Sequence, residues 1–360
     1  MNDALIALCA VMSVFRPPRE GITLEYLLRP VSVLLHPIIS ASLLLAAVKR
    51  PAETQKFVSS ITKNTISFES FKLTVKILLA AGTISKVNGY LNRLALNNYV
   101  TDHSWDWSRE IVLCTGGSSG IGQQIVDQLA KKGVKVVILD VNRPTSALPG
   151  NVSFYRVDIT STPEIQKVAS RIRQEIGNPS ILINNAGIGS GATILDETEQ
   201  ELQSTFDVNI LAHFKLVKEF LPHMVQRNHG HIVTIASIAS FASVANNASY
   251  SATKAGALAF HEGLAQELKA RYGANKVRTT VVHPFWVRTP LTHKLTTLKE
   301  WKEFTMEPET VAEAVVSQIL KGESAQLIIP ARFNFAGGLR GWPSWLQELL
   351  RGSGAIPQIR

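Results

Sequence analysis

Thr115-Gly-Gly-Ser-Ser-Gly-Ile-Gly122 is the stretch that decides the fold. Before it, Glu110-Ile-Val-Leu-Cys-Thr115 reads as a buried strand; after it, Ile121, Ile125, Val126 and Leu129 recur at helical spacing. A glycine turn between strand and helix lets backbone N–H groups and the positive helix end approach a pyrophosphate. A second strand, Lys135-Val-Val-Ile-Leu-Asp140, ends in an acid placed to bond an adenosine ribose. The glycine pattern alone is weak evidence, but strand, turn, helix, strand and terminal Asp140 together are specific.

Further strand-like runs cover 152–157, 180–184, 230–235, 277–282 and 326–329, with helical patterns at 163–176, 199–226, 250–272 and 308–321. Alternating strands and helices predict a Rossmann-type, doubly wound α/β fold with a parallel sheet of about seven strands. Ligands of such sheets bind at the carboxyl ends of the strands. Asp158, Asn184, Ser237 and His283-Pro284 all fall there.

Tyr250 and Lys254 stand four residues apart in a predicted helix, on one face. A free phenol titrates near ~10. A neighbouring ammonium favours the phenolate, so the pair has the chemistry of a general acid or base. So short a pattern also fits a surface Tyr and Lys, and the context must decide.

In order and spacing these motifs resemble the short-chain dehydrogenase/reductase family over about 108–330: the glycine motif, Asp158, Asn184-Asn-Ala-Gly187, Asn209, Ser237 and the Tyr250/Lys254 pair. The resemblance implies that Ser237 bonds the reacting oxygen and Tyr250 moves the proton. It implies that Lys254 lowers the Tyr250 pKa and binds the nicotinamide ribose, while Asn209 holds a relay water. For the cofactor it points to Gly116, Ser118, Ser119, Gly120, Ile121 and Gly122 in the turn, and to Asp140 and Asp158 at the adenosine end. Asn185, Ala186 and Gly187 would line the cleft, with Pro284, Val287 and Thr289 at the nicotinamide end. Asp140 favours NAD; Arg143 keeps NADP open. Residues 288–306 would form a substrate lid in which Leu291, Leu295, Leu298, Trp301 and Phe304 either line an apolar pocket or simply pack. Phe285 stands where the family has glycine, which puts that turn in doubt. Helices 199–226 and 250–272 are the usual dimer faces in similar proteins, so a homodimer is an open expectation.

The chain of 360 residues exceeds one such domain, and the surplus lies mainly at the start. The apolar run 31–48 is long enough for a membrane span, with a buried soluble helix as the alternative. The shorter run 71–84, with Lys72 and Lys76, suits an interfacial helix. The apolar stretch 4–15 lacks a basic start and does not read as a cleaved signal. Residues 1–104 are thus expected to anchor the chain, 105–330 to form the catalytic domain, and 331–360 to form an amphipathic tail. In the tail, Trp342, Trp345, Leu346, Leu349 and Leu350 share one helical face that suits a membrane interface, with docking onto the catalytic domain as the alternative. The net charge of +9 comes without a basic run carrying interleaved aromatics. Acidic phospholipid, rather than nucleic acid, is the expected polyanion, against the alternative of a solvated basic face. Cys9 and Cys114 read as reduced, and no metal-ligand spacing occurs. Acceptor motifs at Asn151 and Asn247, the latter just before Tyr250, favour a cytosolic catalytic domain.

Together these features resemble the membrane- and lipid-droplet-associated retinol and hydroxysteroid dehydrogenase branch of the family. They predict an enzyme at the endoplasmic reticulum or a lipid droplet, acting on a lipophilic alcohol or ketone. An NADP-dependent ketone reductase of a specialised biosynthetic pathway and a catalytically silent membrane scaffold are the rival readings.

Overall fold

A computed structural model describes residues 19–21, 24–27, 29–63 and 65–352. The apolar stretch 4–15 and Cys9 lie outside the described residues. Two compact units meet between Ala95 and Leu96.

In the first unit a single turn at Leu24–Leu27 precedes helices α1 (Arg29–Leu34), α2 (Pro37–Lys49), α3 (Pro51–Thr62) and α4 (Phe68–Leu96). The expected span over 31–48 is not one helix. It breaks at Leu35 and His36, because Pro37 lacks an N–H and starts α2 instead of continuing α1. Among the described residues, no helix is long and apolar enough to cross a membrane. The expected interfacial helix 71–84 is the middle of the 29-residue α4. One face of α4 buries Val75 and Gly82, where an added Cβ would lie 1.8 Å from the Leu35 carbonyl oxygen. The opposite face exposes Leu73, Ile77, Ile84, Val87 and Leu91 at helical spacing.

The second unit holds a seven-stranded parallel sheet in the order β3-β2-β1-β4-β5-β6-β7. The strands are β1 Ile111–Thr115, β2 Lys135–Asp140, β3 Val152–Arg156, β4 Ile181–Asn184, β5 Gly230–Ile235, β6 Val277–Pro284 and β7 Ala325–Ile329. β1, β4, β5 and β6 are buried along their whole length because helices cover both faces. On one face Leu113, Val137, Leu182 and Ile232 pack under helices α6 (Thr162–Glu175), α8 (Ala212–Arg227) and α9 (Ala248–Ala270). On the other, Val112, Val136, Ile183 and Val233 meet α5 (Gly120–Lys131) and α10 (Pro308–Leu320). The order reverses between β1 and β4, which opens the ligand crevice there.

Residues 96–104 belong with this unit rather than with the helices before it. Asn97 accepts the Ser324 N–H at 2.8 Å, and the buried Arg278 donates to the carbonyls of Asn97 and Val100. The expected helix 199–226 is α7 (Glu199–Phe206), a π-helical turn at Asp207–Leu211, and α8. That wider turn carries Asn209, as π-turns at functional sites often do.

Candidate active site

The glycine turn joins β1 to α5 and fits a dinucleotide pyrophosphate. Gly116 has φ +64°, and a Cβ on it would sit 2.9 Å from the Ala186 Cα. A Cβ on Gly122 would sit 2.2 Å from the Gly116 carbonyl oxygen. A Cβ on Gly120 (φ +55°) would meet the Thr289 side chain at 3.2 Å, so the start of the lid lies against the turn. Ser119 caps α5 without a side-chain bond, which leaves first-turn N–H groups for an anion. Ile121 is half-buried and packs toward the core.

At the adenosine end, Asp140 accepts the Ser118 N–H at 3.1 Å and the Asn142 N–H at 2.9 Å. The Ser118 hydroxyl donates to the Asn142 carbonyl at 2.7 Å. Beside this loop lies a cavity of about 370 Å³ lined by Val141, Asn142, Arg143, Phe154 and Arg156. Asp158 is exposed, and its Oδ1 accepts from the Thr160 N–H and hydroxyl, each at 2.8 Å.

Asn185 does more than line the cleft. Its Nδ2 donates to the Thr115 and Gly116 carbonyls at 2.9 and 3.1 Å, tying the end of β4 to the turn. The Thr115 hydroxyl accepts the N–H groups of Asn185 and Ala186. Gly187 runs close to Asn209 and Lys254, at 3.4 and 3.5 Å from a built Cβ. Asn209 is fully buried and clamps Ile188, accepting its N–H at 2.9 Å and donating to its carbonyl at 2.8 Å. A Cβ on Gly189 would lie 3.2 Å from the Tyr250 ring. Glu197 accepts from the Ser190 and Ser249 hydroxyls, which pins this loop beside Tyr250. Sequence reasoning missed Asn185's bracing role and the Glu197 bridge; the run of adjacent asparagines was visible, but not which one turns toward the glycine loop.

Ser237, Tyr250 and Lys254 come together past the ends of β5 and β6. Ser237 caps the 3₁₀ turn Ile238–Ser240, its hydroxyl oxygen accepting the Ala239 N–H at 3.1 Å, and the same hydroxyl acts on the Tyr250 phenol to lower its pKa. The Lys254 Nζ lies 5.5 Å from the Tyr250 ring centroid and donates to the Ile235 carbonyl at 2.9 Å. The expected electrostatics are reversed. Burial pushes the Tyr250 phenol up to about 12, and the Ser237 hydroxyl offsets only part of that. Burial also pulls Lys254 down to about 8. Desolvation is the leading cause for both groups.

Pro284 ends β6, and Phe285 continues it without a positive φ, its N–H donating to the Ile329 carbonyl at 2.8 Å. Glycine's conformational freedom is therefore not needed here. Val287 bridges to Met306, which brings the two ends of the segment 288–306 together. Within the expected lid 288–306 only His293–Thr296 is helical; the Thr292 hydroxyl accepts the Thr289 N–H at 3.1 Å and donates to the Thr289 carbonyl at 3.3 Å, and the Thr297 hydroxyl donates to the His293 carbonyl at 2.8 Å. Leu295 is buried and Trp301 packs edge-on against Trp286 at 5.0 Å, whereas Leu291 is exposed.

The family described as short chain dehydrogenase matches residues 110–300, more than half of the chain. The chain is a short-chain dehydrogenase. Dehydrogenase RED2 of Cochliobolus heterostrophus is 47% identical to this short-chain dehydrogenase over 208 residues, 57% of this chain and 78% of that one. The 17-beta-hydroxysteroid dehydrogenase 13 of Homo sapiens is 32% identical over 270 residues, 73% and 87% of the two chains. A solved short-chain dehydrogenase from Streptomyces avermitilis superposes with a TM-score of 0.58 at 24% identity, covering 69% of this chain and 98% of that one, and supports the fold. This short-chain dehydrogenase is thus an NAD(P)-dependent oxidoreductase of the retinol and hydroxysteroid branch, acting on a CH–OH group of a small-molecule substrate.

Proposed function

We propose that this short-chain dehydrogenase interconverts a lipophilic secondary or allylic alcohol and its carbonyl at a membrane surface. Tyr250 is the proton donor and acceptor. The observation that carries this reading is the clustering of Tyr250 with Ser237, which acts on its phenol, and with the buried Lys254, whose Nζ lies 5.5 Å from the ring centroid. Bound nicotinamide supplies the hydride carrier. Ser237 orients the substrate oxygen beside the phenol. A phenol at about 12 is held protonated, ready to donate to a carbonyl oxygen. Lys254, held by its bond to the Ile235 carbonyl, keeps its ammonium 5.5 Å from the Tyr250 ring centroid. Asn209 holds the 188–189 loop against the Tyr250 ring.

A lipophilic substrate is supported by the likeness to the human 17-beta-hydroxysteroid dehydrogenase 13. Attachment to the endoplasmic reticulum or a lipid droplet is supported by the exposed apolar stripe of α4 and its Lys72, Lys76, Lys86 and Arg93. The helix lies in the interface rather than spanning it. Exposed Trp345 and Leu349 on the C-terminal helix α11 (Ser344–Gly352) fit the same surface. A cytosolic catalytic unit is supported by Asn151, whose amide donates to the Ala130 and Val134 carbonyls, bonds that a glycan on that nitrogen would disrupt. Exposed Leu211 and Phe214 fit a second copy of the chain packing on α8.

For the cofactor, Asp140 supports NAD. The arginine-lined cavity supports NADP, because Arg143 and Arg156 line a volume a phosphate can enter. Following nicotinamide absorbance with NAD or NADP and a panel of retinol, estradiol and simple water-soluble alcohols tests the function. Turnover of lipid alcohols above the water-soluble ones is expected; turnover of only the water-soluble ones overturns the substrate class.

A further inference from the structure

The turn that carries Ser237 is held from an unexpected side. Its far end, Ser240, is buried, and the Ser240 hydroxyl donates to the Lys254 carbonyl at 2.8 Å. This bond sets the register between the turn and α9, the helix bearing Tyr250 and Lys254. The Ser240 carbonyl accepts from Arg340 Nη2 at 3.0 Å, across 100 residues of chain. The Ser237 carbonyl faces His283 Nδ1 at 3.0 Å, and Phe241 packs on the His283 ring at 4.5 Å. β6 therefore braces one end of the turn and the C-terminal tail braces the other.

The tail is itself tied to Arg340. Gln347 of α11 donates through Nε2 to the Trp342 carbonyl at 2.7 Å and to the Arg340 carbonyl at 3.3 Å. Arg351 donates to the Gln347 side-chain oxygen at 2.7 Å. Trp342 stacks on Phe335 at 5.8 Å, which fixes the chain between Arg340 and the helix. A continuous line of hydrogen bonds thus runs from α11 through Arg340 and Ser240 to the backbone of Lys254. The same helix presents exposed Trp345 and Leu349 to its surroundings.

We propose that Arg340 is a positioning residue of the active site, through which the C-terminal helix holds the turn bearing Ser237 in register with Tyr250 and Lys254. The inference rests on the reading of those three residues as the proton-transfer set. A charged donor suits the task, because a guanidinium bond to a carbonyl is stronger than a neutral one. The role is positional, since Arg340 bonds the turn's backbone rather than Ser237, Tyr250 or Lys254 side chains. Small displacements of a reacting group have large kinetic consequences.

The test uses the full chain with Arg340→Ala, Arg340→Lys, Gln347→Ala and, in parallel, Tyr250→Phe. Hydrogen–deuterium exchange is read over 237–241, and oxidation of retinol or estradiol by NAD gives kcat and KM. Arg340→Ala should raise exchange at 237–241 severalfold while leaving the strands unchanged. It should lower kcat about tenfold with KM for NAD within about twofold. Arg340→Lys should recover part of both, and Gln347→Ala should show a smaller shift of the same kind. Unchanged exchange at 237–241 overturns the proposal, as does a rise spread evenly over the strands or a rise with kcat unaffected. The exchange arm needs no substrate. If Tyr250→Phe keeps wild-type turnover, the underlying site reading fails; if it loses turnover while Arg340→Ala matches wild type in both readouts, only the coupling fails.

Discussion

Gly122→Ala is the sharpest probe of the dinucleotide cradle. The new methyl would stand 2.2 Å from the Gly116 carbonyl oxygen and 2.5 Å from the Asn185 Nδ2. Neither is the free end of a flexible side chain: the first is backbone, and the second is held by bonds to the Thr115 and Gly116 carbonyls. Relief requires the turn to open or Asn185 to leave. Losing both Asn185 bonds costs about 1–3 kcal/mol, and overpacking adds roughly 1–3 kcal/mol. A total destabilisation of about 2–6 kcal/mol is expected, read as a lower urea midpoint. Binding falls further, because an opened turn misaims the N–H groups. Loss of one charge-assisted bond, about 1.5–3 kcal/mol, corresponds to roughly 10- to 100-fold weaker NAD or NADP binding. Titration of NADH fluorescence measures that directly. Gly89→Ala is the control, since a Cβ there meets nothing within 4 Å in a helix interior and should be neutral or slightly stabilising. A Gly122→Ala protein that folds with unchanged midpoint and unchanged dinucleotide affinity would refute the cradle.

Cofactor choice is tested at the adenosine end. Asp140→Ala should shift preference toward NADP, and Arg156→Ala should weaken NADP selectively, both read as kcat/KM ratios; equal loss of both cofactors would mean the residues serve only the fold. His229 gives a pH signature at the other end of the sheet. It lies between Glu110, at 3.1 Å, and Asp102, at 3.6 Å. Its bond to Glu110 raises the His229 pKa despite burial, while burial pushes Glu110 up but is outweighed by the bonds from His229 and Ser180. A raised histidine adds stability that is full below its unfolded value and lost as pH rises through the folded one. Wild type should therefore exceed His229→Gln in thermal stability below about pH 6.5, with the gap closing above it and again in acid as Glu110 protonates. A gap that widens with rising pH would contradict the clasp.

Much of the second unit was legible because its strands are short apolar runs that need no partner to be recognised. The glycine turn, Asp140, Ser237, Tyr250 and Lys254 were legible because the chemistry fixes their spacing. What escaped was set by three-dimensional burial. The spacing of Tyr250 and Lys254 predicted a lowered phenol, but spacing carries no desolvation, and burial dominates. Hydropathy favoured one span over 31–48, whereas a single proline divides it. The lid's apolar spacing resembled a helix, yet its threonines supply competing local bonds. Asn97 and Arg340 act across more than 90 residues of chain, and no local pattern marks such partners.

The most direct measurement is single-turnover reduction of NAD by an alcohol that wild type oxidises, compared in wild type and Tyr250→Phe, with NADH affinity measured on both proteins. Removing the hydroxyl removes the proton-transfer atom but keeps the ring against Gly189. The expected result is a chemical step slower by about 10²–10⁴-fold with NADH affinity unchanged. Wild-type chemistry in Tyr250→Phe would contradict Tyr250 as the proton donor and acceptor.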